Sequence, residues 1–541
     1  MTEAIARRHC AQGPQAARPP ATQRKVTTTV KFRRALTFAL ALVGVGPAAC
    51  SDAADNPKEG TGGSVGRGGA TAGGSSGGGS GGSTGGAGGS NAGAGGSNAG
   101  AGGSNAGAGG STAGAGGSNA GAGGSTAGAG GSSAGDGGTG AGGTGDAGTG
   151  GGGSGGTGGA GGRPAEDEGA DCQVPALPEA SSLPTVARLP DPFMKLNGMR
   201  MSTRAEWRCR RGEIKKQAEK YAYGTKPPKP ATVSGTVSNS SVSVMVSEGG
   251  KSASFSASVT LPSTGSRPYP AVVVLAGFGA DTNTIRSEGV ATINYDPNAL
   301  GREGTGRANK QGAFYTLYGN SSTTGLLVAW AWGVSRIIDV IEQSGGDILK
   351  ADAIGVTGCS RYGKGAFTVG VFDQRIALTM PIESGTAGVP IWRGVPGEGA
   401  QSLSSAYGEQ PWFGDAFSAF TGSPTRAPLD THELVAMVAP RGLFIMDNPH
   451  IANLGPRSAH VAALAGAEVY KAIGAGENIS YISAVANGSH CATRPEWTEP
   501  LRKNIRKFLT KTASDPGVIS ASSNASGNLS QWRDWATPTL Q

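Results

Sequence analysis

From Gly60 to Gly162 the chain is built almost entirely of Gly, Ala, Ser, Thr and Asn, and it holds 53 of the protein's 97 glycines there. Glycine has the most backbone freedom to lose on folding, and a stretch with almost no large apolar side chain has nothing to bury in return. A serine recurs every seven residues from Ser90 to Ser132, in units such as Ser-Asn-Ala-Gly-Ala-Gly-Gly. The period has no apolar a/d pair, so it is not a coiled coil, and it is not the three-residue glycine period of collagen. It reads as a flexible tether, whose 103 residues reach about 50–60 Å. Any core must come from the rest of the chain.

Ahead of the tether, Arg24-Lys25 and Lys31-x-Arg33-Arg34 form a basic region, and residues 35–46 an apolar run too short to span a bilayer. Pro47-Ala48-Ala49-Cys50 closes it with small residues. Residues 1–49 therefore read as an export signal. Cys50 is the candidate lipidation site of a surface-anchored, outer-membrane lipoprotein, with simple cleavage and secretion as the alternative, and residues 50–170 form the tether. The net charge of +8 resides in that leader: residues 1–49 carry eight Lys and Arg against one acidic residue, which leaves 38 basic and 37 acidic side chains. A nucleic-acid partner thereby loses its electrostatic basis.

Residues 171–512 are enough for one large α/β domain. Residues 241–246 and 252–261 alternate apolar and polar, as antiparallel edge strands do. Residues 269–276 are a continuous apolar run and 289–295 a shorter one, as expected of parallel strands buried on both faces. Further strand patterns at 353–357, 376–382, 441–446 and 479–486 are separated by helical stretches, including 325–341 with Trp330 and Trp332 as core. Strand alternating with helix predicts a three-layer sandwich, a mostly parallel central sheet with helices on both faces. The tail, 513–541, is Ser/Asn/Gly-rich and is expected to be loosely ordered.

Gly358-Cys359-Ser360-Arg361-Tyr362-Gly363, with Lys364-Gly365-Ala366 behind it, lies where strand 353–357 meets helix 363–372. A serine among small residues at such a turn has the form of the nucleophile elbow of α/β-hydrolases, which lifts Oγ out of the sheet edge. The second glycine of that motif usually comes two places after the serine, and here it comes three places after. The longer string, Gly-Cys-Ser-Arg-x-Gly-Lys-Gly, resembles the nucleophile motif of the glucuronoyl esterases, carbohydrate esterase family 15. The resemblance covers most of residues 171–509 and none of the tether. It implies an α/β-hydrolase fold and a monomeric serine esterase that needs no cofactor or metal. The implied substrate is the ester between 4-O-methylglucuronate on xylan and a lignin alcohol, cleaved through an acyl-enzyme. Another carboxylesterase or acetyl-xylan esterase, and a non-catalytic surface-tethered carbohydrate-binding protein, are the alternatives.

A serine hydroxyl needs a base, itself oriented by a carboxylate, and α/β-hydrolases supply them in the order Ser, acid, His. His432 and His460 fall within helical patterns, and His450 precedes the last strand. His490, in Asn487-Gly488-Ser489-His490-Cys491, follows that strand and is the candidate base. Two acids fit: Asp447 ends strand 441–446, the usual place, and Glu383 ends strand 376–382. The resemblance favours Glu383, in its Glu-Ser-Gly segment, with Asp447 left open.

The Arg361 backbone N–H is the default oxyanion donor. The resemblance adds the Arg361 side chain as a second donor, and Lys364, Gln401 and Glu409 as ligands of sugar hydroxyls. It also exposes a departure, because the family's sugar-stacking Trp is replaced by Asn453. An even set of cysteines in an exported chain suggests disulfides, and Cys172, Cys209, Cys359 and Cys491 allow three pairings. Cys359 and Cys491 adjoin Ser360 and His490, so they are close enough to bridge if those two residues meet. The resemblance implies that same pairing, and it leaves Cys172 with Cys209.

Overall fold

A computed structural model describes residues 164–541. The export signal, Cys50 and most of the tether lie outside the described residues. Ten strands form one sheet: β1 (Thr232–Val237), β2 (Ser241–Glu248), β3 (Lys251–Thr260), β4 (Tyr269–Leu275), β5 (Ala291–Tyr295), β6 (Leu349–Cys359), β7 (Ile376–Ile382), β8 (Gly442–Met446), β9 (Ile479–Ile482) and β10 (Ile519–Ser520). Their order across the sheet is β1-β2-β3-β5-β4-β6-β7-β8-β9-β10. The β1–β2, β2–β3 and β3–β5 pairs are antiparallel, and every pair from β5 to β10 is parallel.

The two strand types follow from their residues. In β2 the alternation buries Val242, Val244 and Val246 on one face, whereas Val272, Val273 and Val274 of β4 are buried consecutively because helices cover both faces there. Those helices are α1 (Trp207–Ala218), α2 (Thr282–Ser287), α3 (Ala313–Tyr318), α4 (Leu326–Gln343), α5 (Arg361–Phe372), α6 (Leu403–Glu409), α7 (Thr431–Met437), α8 (Pro456–Ala472) and α9 (Pro495–Ile505). Among them α4 is buried nearly all round, with Trp330 and Trp332 in the core as expected. No described helix is long and apolar enough to cross a membrane.

The strand boundaries differ in places. β6 begins at Leu349, ahead of the expected stretch, and β9 ends at Ile482, leaving 483–486 as loop. β1 has no sequence counterpart in the pattern reading, because it is a Thr/Ser/Gly-rich edge strand that exposes most of its residues. The tail is the larger difference. Residues 513–541 are packed on the domain: β10 adds a parallel edge to β9, and Trp535 and Leu540 are buried. The Trp535 indole N–H donates to the Leu189 carbonyl at 3.1 Å, and the Gln541 carbonyl accepts from the Arg204 N–H at 2.9 Å. Trp535 and Leu540, with Ile519, Leu529 and Trp532 packed against the core, anchor a stretch whose polar composition conceals them. The packed chain also begins before residue 171, because Glu166 pairs with Lys226, Arg336 and Arg375.

Candidate active site

β6 ends at Cys359 and α5 begins at Arg361, so Ser360 alone makes the turn, with φ 58° and ψ −125°. That left-handed φ is costly for a serine and is held by its surroundings, including a 2.9 Å bond from the Ser360 N–H to the Ile382 carbonyl. The glycines answer to the same crowding. A Cβ on Gly358 would lie 2.2 Å from the Tyr362 carbonyl oxygen, and one on Gly363 would lie 2.4 Å from the Ile382 oxygen. Close approach of the neighbouring strand therefore falls on the third residue after the serine, which explains the displaced glycine. Tyr362, at the second place, instead turns its ring onto exposed Phe278, with centroids 6.1 Å apart.

Glu383 and Asp447 follow β7 and β8 in the same way, yet they occupy different environments. Glu383 is buried and has φ 44°. His490 Nδ1 lies 2.6 Å from Glu383 Oε2, the Cys491 N–H donates to that oxygen at 2.7 Å, and Asn448 Nδ2 donates to Oε1 at 3.1 Å. Arg494 adds a cation 3.7 Å from Oε1. Burial pushes the Glu383 carboxyl up, but the bonds from His490, Cys491 and Asn448 outweigh it and hold the group below its usual value. It is ionised, so it can only accept, and His490 Nδ1 must carry the proton. Asp447 accepts from the Asn448 N–H at 2.9 Å and the Tyr481 hydroxyl at 3.4 Å. Burial, with the charge of Glu383 nearby, raises it to about 7.

Cys359 and Cys491 form a disulfide with Cα atoms 5.8 Å apart, tying the residue before Ser360 to the residue after His490. Cys172 and Cys209 form the other, near the start of the domain. Glu383 and His490 cluster with the sulfurs of Cys359 and Cys491. Those sulfurs are bonded to each other and the remaining two groups are bonded to one another, so this donor set does not suit a metal ion.

On the other flank of Ser360, the polar side chains of Arg361, Glu303, Lys364, Gln401 and Glu409 converge with Trp412. The Arg361 N–H is the first amide of α5, one of those a helix leaves without an intrahelical partner. Arg361 Nη1 donates to Glu303 at 2.9 Å and Nη2 to Glu409 at 3.4 Å. Lys364 is buried, donates to the Ser384 carbonyl at 2.6 Å, and lies 5.2 Å from the centre of the Trp412 ring. Burial lowers it to about 8. Gln401 Nε2 donates to Glu409 at 2.7 Å, and the Gln401 N–H donates to the carbonyl of exposed Asn453 at 3.0 Å. Ser360, Arg361, Lys364, Glu383, Gln401, Glu409, Asn453 and His490 thus gather at the C-terminal edge of the sheet; Asp447 lies at that edge too but is bonded to Asn448 and Tyr481.

Glu303, Asn448, Arg494 and Trp412 belong to this constellation too. None carries a local motif: Glu303 sits in a long loop after β5, and Trp412 reads equally well as core.

A family model described as "Glucuronyl esterase, fungi" matches residues 244–474. The 4-O-methyl-glucuronoyl methylesterase of Hypocrea jecorina is 38% identical over 377 residues, covering 69% of this chain and 80% of that protein. The one from Neurospora crassa is 39% identical over 372 residues, covering 67% of this chain and 92% of its own. The solved catalytic domain of the Hypocrea jecorina glucuronoyl esterase aligns with a TM-score of 0.62 at 36% identity, covering 68% of this chain and all of that one. A serine-to-alanine mutant of the Sporotrichum thermophile glucuronoyl esterase was solved with methyl 4-O-methyl-beta-D-glucopyranuronate. It aligns with a TM-score of 0.60 at 36% identity, covering 66% and 97% of the two chains. The elbow at Ser360, the α/β-hydrolase sheet and these alignments agree, and the chain belongs to the glucuronoyl esterases, carboxylic ester hydrolases of carbohydrate esterase family 15.

Proposed function

We propose that the protein hydrolyses glucuronate esters on xylan, with Ser360 as nucleophile, His490 as base and Glu383 as the acid that orients it. The observation that carries this reading is the His490–Glu383 contact of 2.6 Å on a loop that a disulfide ties to the elbow. With Nδ1 donating to Glu383, Nε2 of His490 is the lone-pair nitrogen and takes the Ser360 proton. Oγ attacks the ester carbonyl, and the developing oxyanion is stabilised by the Arg361 N–H and guanidinium. His490 returns the proton to the leaving alcohol, which departs. A water, deprotonated by His490, then attacks the acyl-enzyme; Ser360 Oγ leaves, takes back the proton from His490, and the uronic acid is freed.

Lys364, Gln401 and Glu409 supply hydrogen bonds to the sugar. A lignin alcohol is the leaving group, and the reaction needs no cofactor. The leader sequence supports export, with lipid on Cys50 and the tether carrying a monomeric domain away from an outer membrane. Mass spectrometry of the mature N-terminus tests that part, and an unmodified terminus beyond Cys50 in the culture fluid refutes the anchor.

Asn453 keeps a second reading open, a carboxylesterase or acetyl-xylan esterase using the same triad, because the stacking Trp is absent. Turnover on benzyl glucuronate, acetylated xylan and p-nitrophenyl acetate separates the two. Preference for the glucuronate, together with labelling of Ser360 by a fluorophosphonate, supports the first. Preference for the acetates supports the second.

A further inference from the structure

We propose that Glu303 is a positioning residue of this active site, one carboxylate that fixes both the Arg361 guanidinium beside the nucleophile and the Trp412 indole beneath the sugar-binding flank. The proposal rests on the oxyanion role given to Arg361. Glu303 lies 58 residues before Arg361, in the loop between β5 and α3. Its Oε2 accepts from Arg361 Nη1 at 2.9 Å and its Oε1 accepts from Trp412 Nε1 at 2.6 Å. Its own N–H donates to Asn298 Oδ1 at 3.1 Å, which fixes the loop. Both carboxylate oxygens are thus committed, each to a different part of the site.

The arginine needs such a latch. Its side chain is 41% exposed, and its other carboxylate partner, Glu409, is 36% exposed, reaches it only at 3.4 Å and is also bonded to Gln401. Glu303 is 13% exposed and closer, so it forms the less screened of the two pairs. A long, half-exposed side chain that must meet an oxyanion gains most from being held beforehand, since the reaction then needs no reorganisation.

The indole end matters for a second reason. The Arg361 guanidinium lies 5.7 Å from the Trp412 ring centre and the Lys364 ammonium 5.2 Å, so one ring carries two cations. Glu303 and Glu409 are the negative groups facing them. Burial is the largest influence that lowers Lys364, Arg361 lowers it further, and Glu409 and Glu303 oppose that fall. Removing the Glu303 charge should therefore make Lys364 lose its proton at lower pH.

The two bonds can be separated by substitution. In Glu303→Gln the amide oxygen still accepts from the indole, while the amide N–H₂ faces Arg361 and cannot accept. Glu303→Ala loses both bonds. On benzyl glucuronate at pH 6, Glu303→Gln should lower kcat at least about tenfold with KM nearly unchanged, and Glu303→Ala should lower kcat and raise KM. If Glu303→Ala does not fold, Trp412→Phe, which keeps the ring and loses the N–H, should raise KM alone. The rise of KM with alkaline pH should begin earlier in Glu303→Gln than in the unmodified enzyme. Arg361→Ala is the reference, and adding Glu303→Gln to it should lower kcat no further. An unchanged kcat in Glu303→Gln beside an impaired Arg361→Ala overturns the positioning role and leaves the role of Arg361 standing. A further loss in the double variant overturns it likewise. An unimpaired Arg361→Ala overturns both.

Discussion

His490 Nδ1 stands 2.6 Å from Glu383 Oε2, whereas Asp447, at the end of the next strand, is bonded to Asn448 and Tyr481. Glu383→Gln keeps the shape of the side chain but removes the charge that stabilises the imidazolium. It should lower kcat by about 10³–10⁴-fold and change KM little, by analogy with acid-to-amide changes in other triads. Asp447→Asn should retain most of the turnover, with the double variant worse than either alone. Steady-state kinetics on benzyl glucuronate checks this. Loss of turnover in Asp447→Asn with retention in Glu383→Gln would reverse the assignment.

Asp447 should instead be felt in the pH dependence of stability. Its value in the fold, about 7, lies above that of an unfolded aspartate, about 4. A carboxyl raised in this way contributes stability at acid pH that is lost as the pH rises from about 4 toward 7. Asp447→Asn cannot ionise, so its melting temperature should match that of the unmodified protein near pH 4. It should exceed it by several degrees at pH 8. Thermal melts across that range measure the gap, and a gap that does not widen with pH contradicts the expectation.

The two disulfides should behave differently. Replacing Cys359 and Cys491 by Ala should cost about 2–4 kcal/mol of stability and also lower kcat, because the bridge joins the elbow to the His490 loop. Replacing Cys172 and Cys209 should cost stability with kcat retained, since that bridge joins the start of the domain to α1. Denaturant unfolding paired with kinetics distinguishes them. Unchanged kcat in the first pair would mean that the His490 loop is held by Arg494 and Glu383 alone.

Asn453 is exposed, and its carbonyl accepts from the N–H of Gln401, one of the residues proposed to bind the sugar. An aromatic face adds apolar contact that an amide cannot supply, so Asn453→Trp should lower KM for glucuronate esters severalfold with kcat little changed. An unchanged KM would show that another side chain already fills the place.

Legibility followed the range of each interaction. The elbow was readable because Gly358, Ser360 and Gly363 answer to a turn a few residues long, and the central strands because β4 must be apolar throughout. His490 was singled out by elimination, from its place after the last strand pattern, and its Nδ1 lies 2.6 Å from Glu383. The tail misled because its few apolar residues are spread through a Ser/Asn-rich stretch, and Trp535 is held against Leu189 far earlier in the chain. β1 carries too few apolar side chains to announce an edge strand.

By itself the sequence determined the turn that presents Ser360 and the alternation of strand and helix beneath it. These depend on local backbone sterics and on side-chain periodicity, which neighbouring residues specify. Only the tertiary structure decided which carboxylate faces His490. Glu383 and Asp447 both end parallel strands, and the choice lies with a loop after β9, tied by Cys491 and Arg494, that brings the imidazole over β7. The bonds from Glu303 to Arg361 and Trp412 were likewise decided there, because they join residues 58 and 109 positions apart. Contacts at that separation are set by the packing of whole elements, and no local pattern records them.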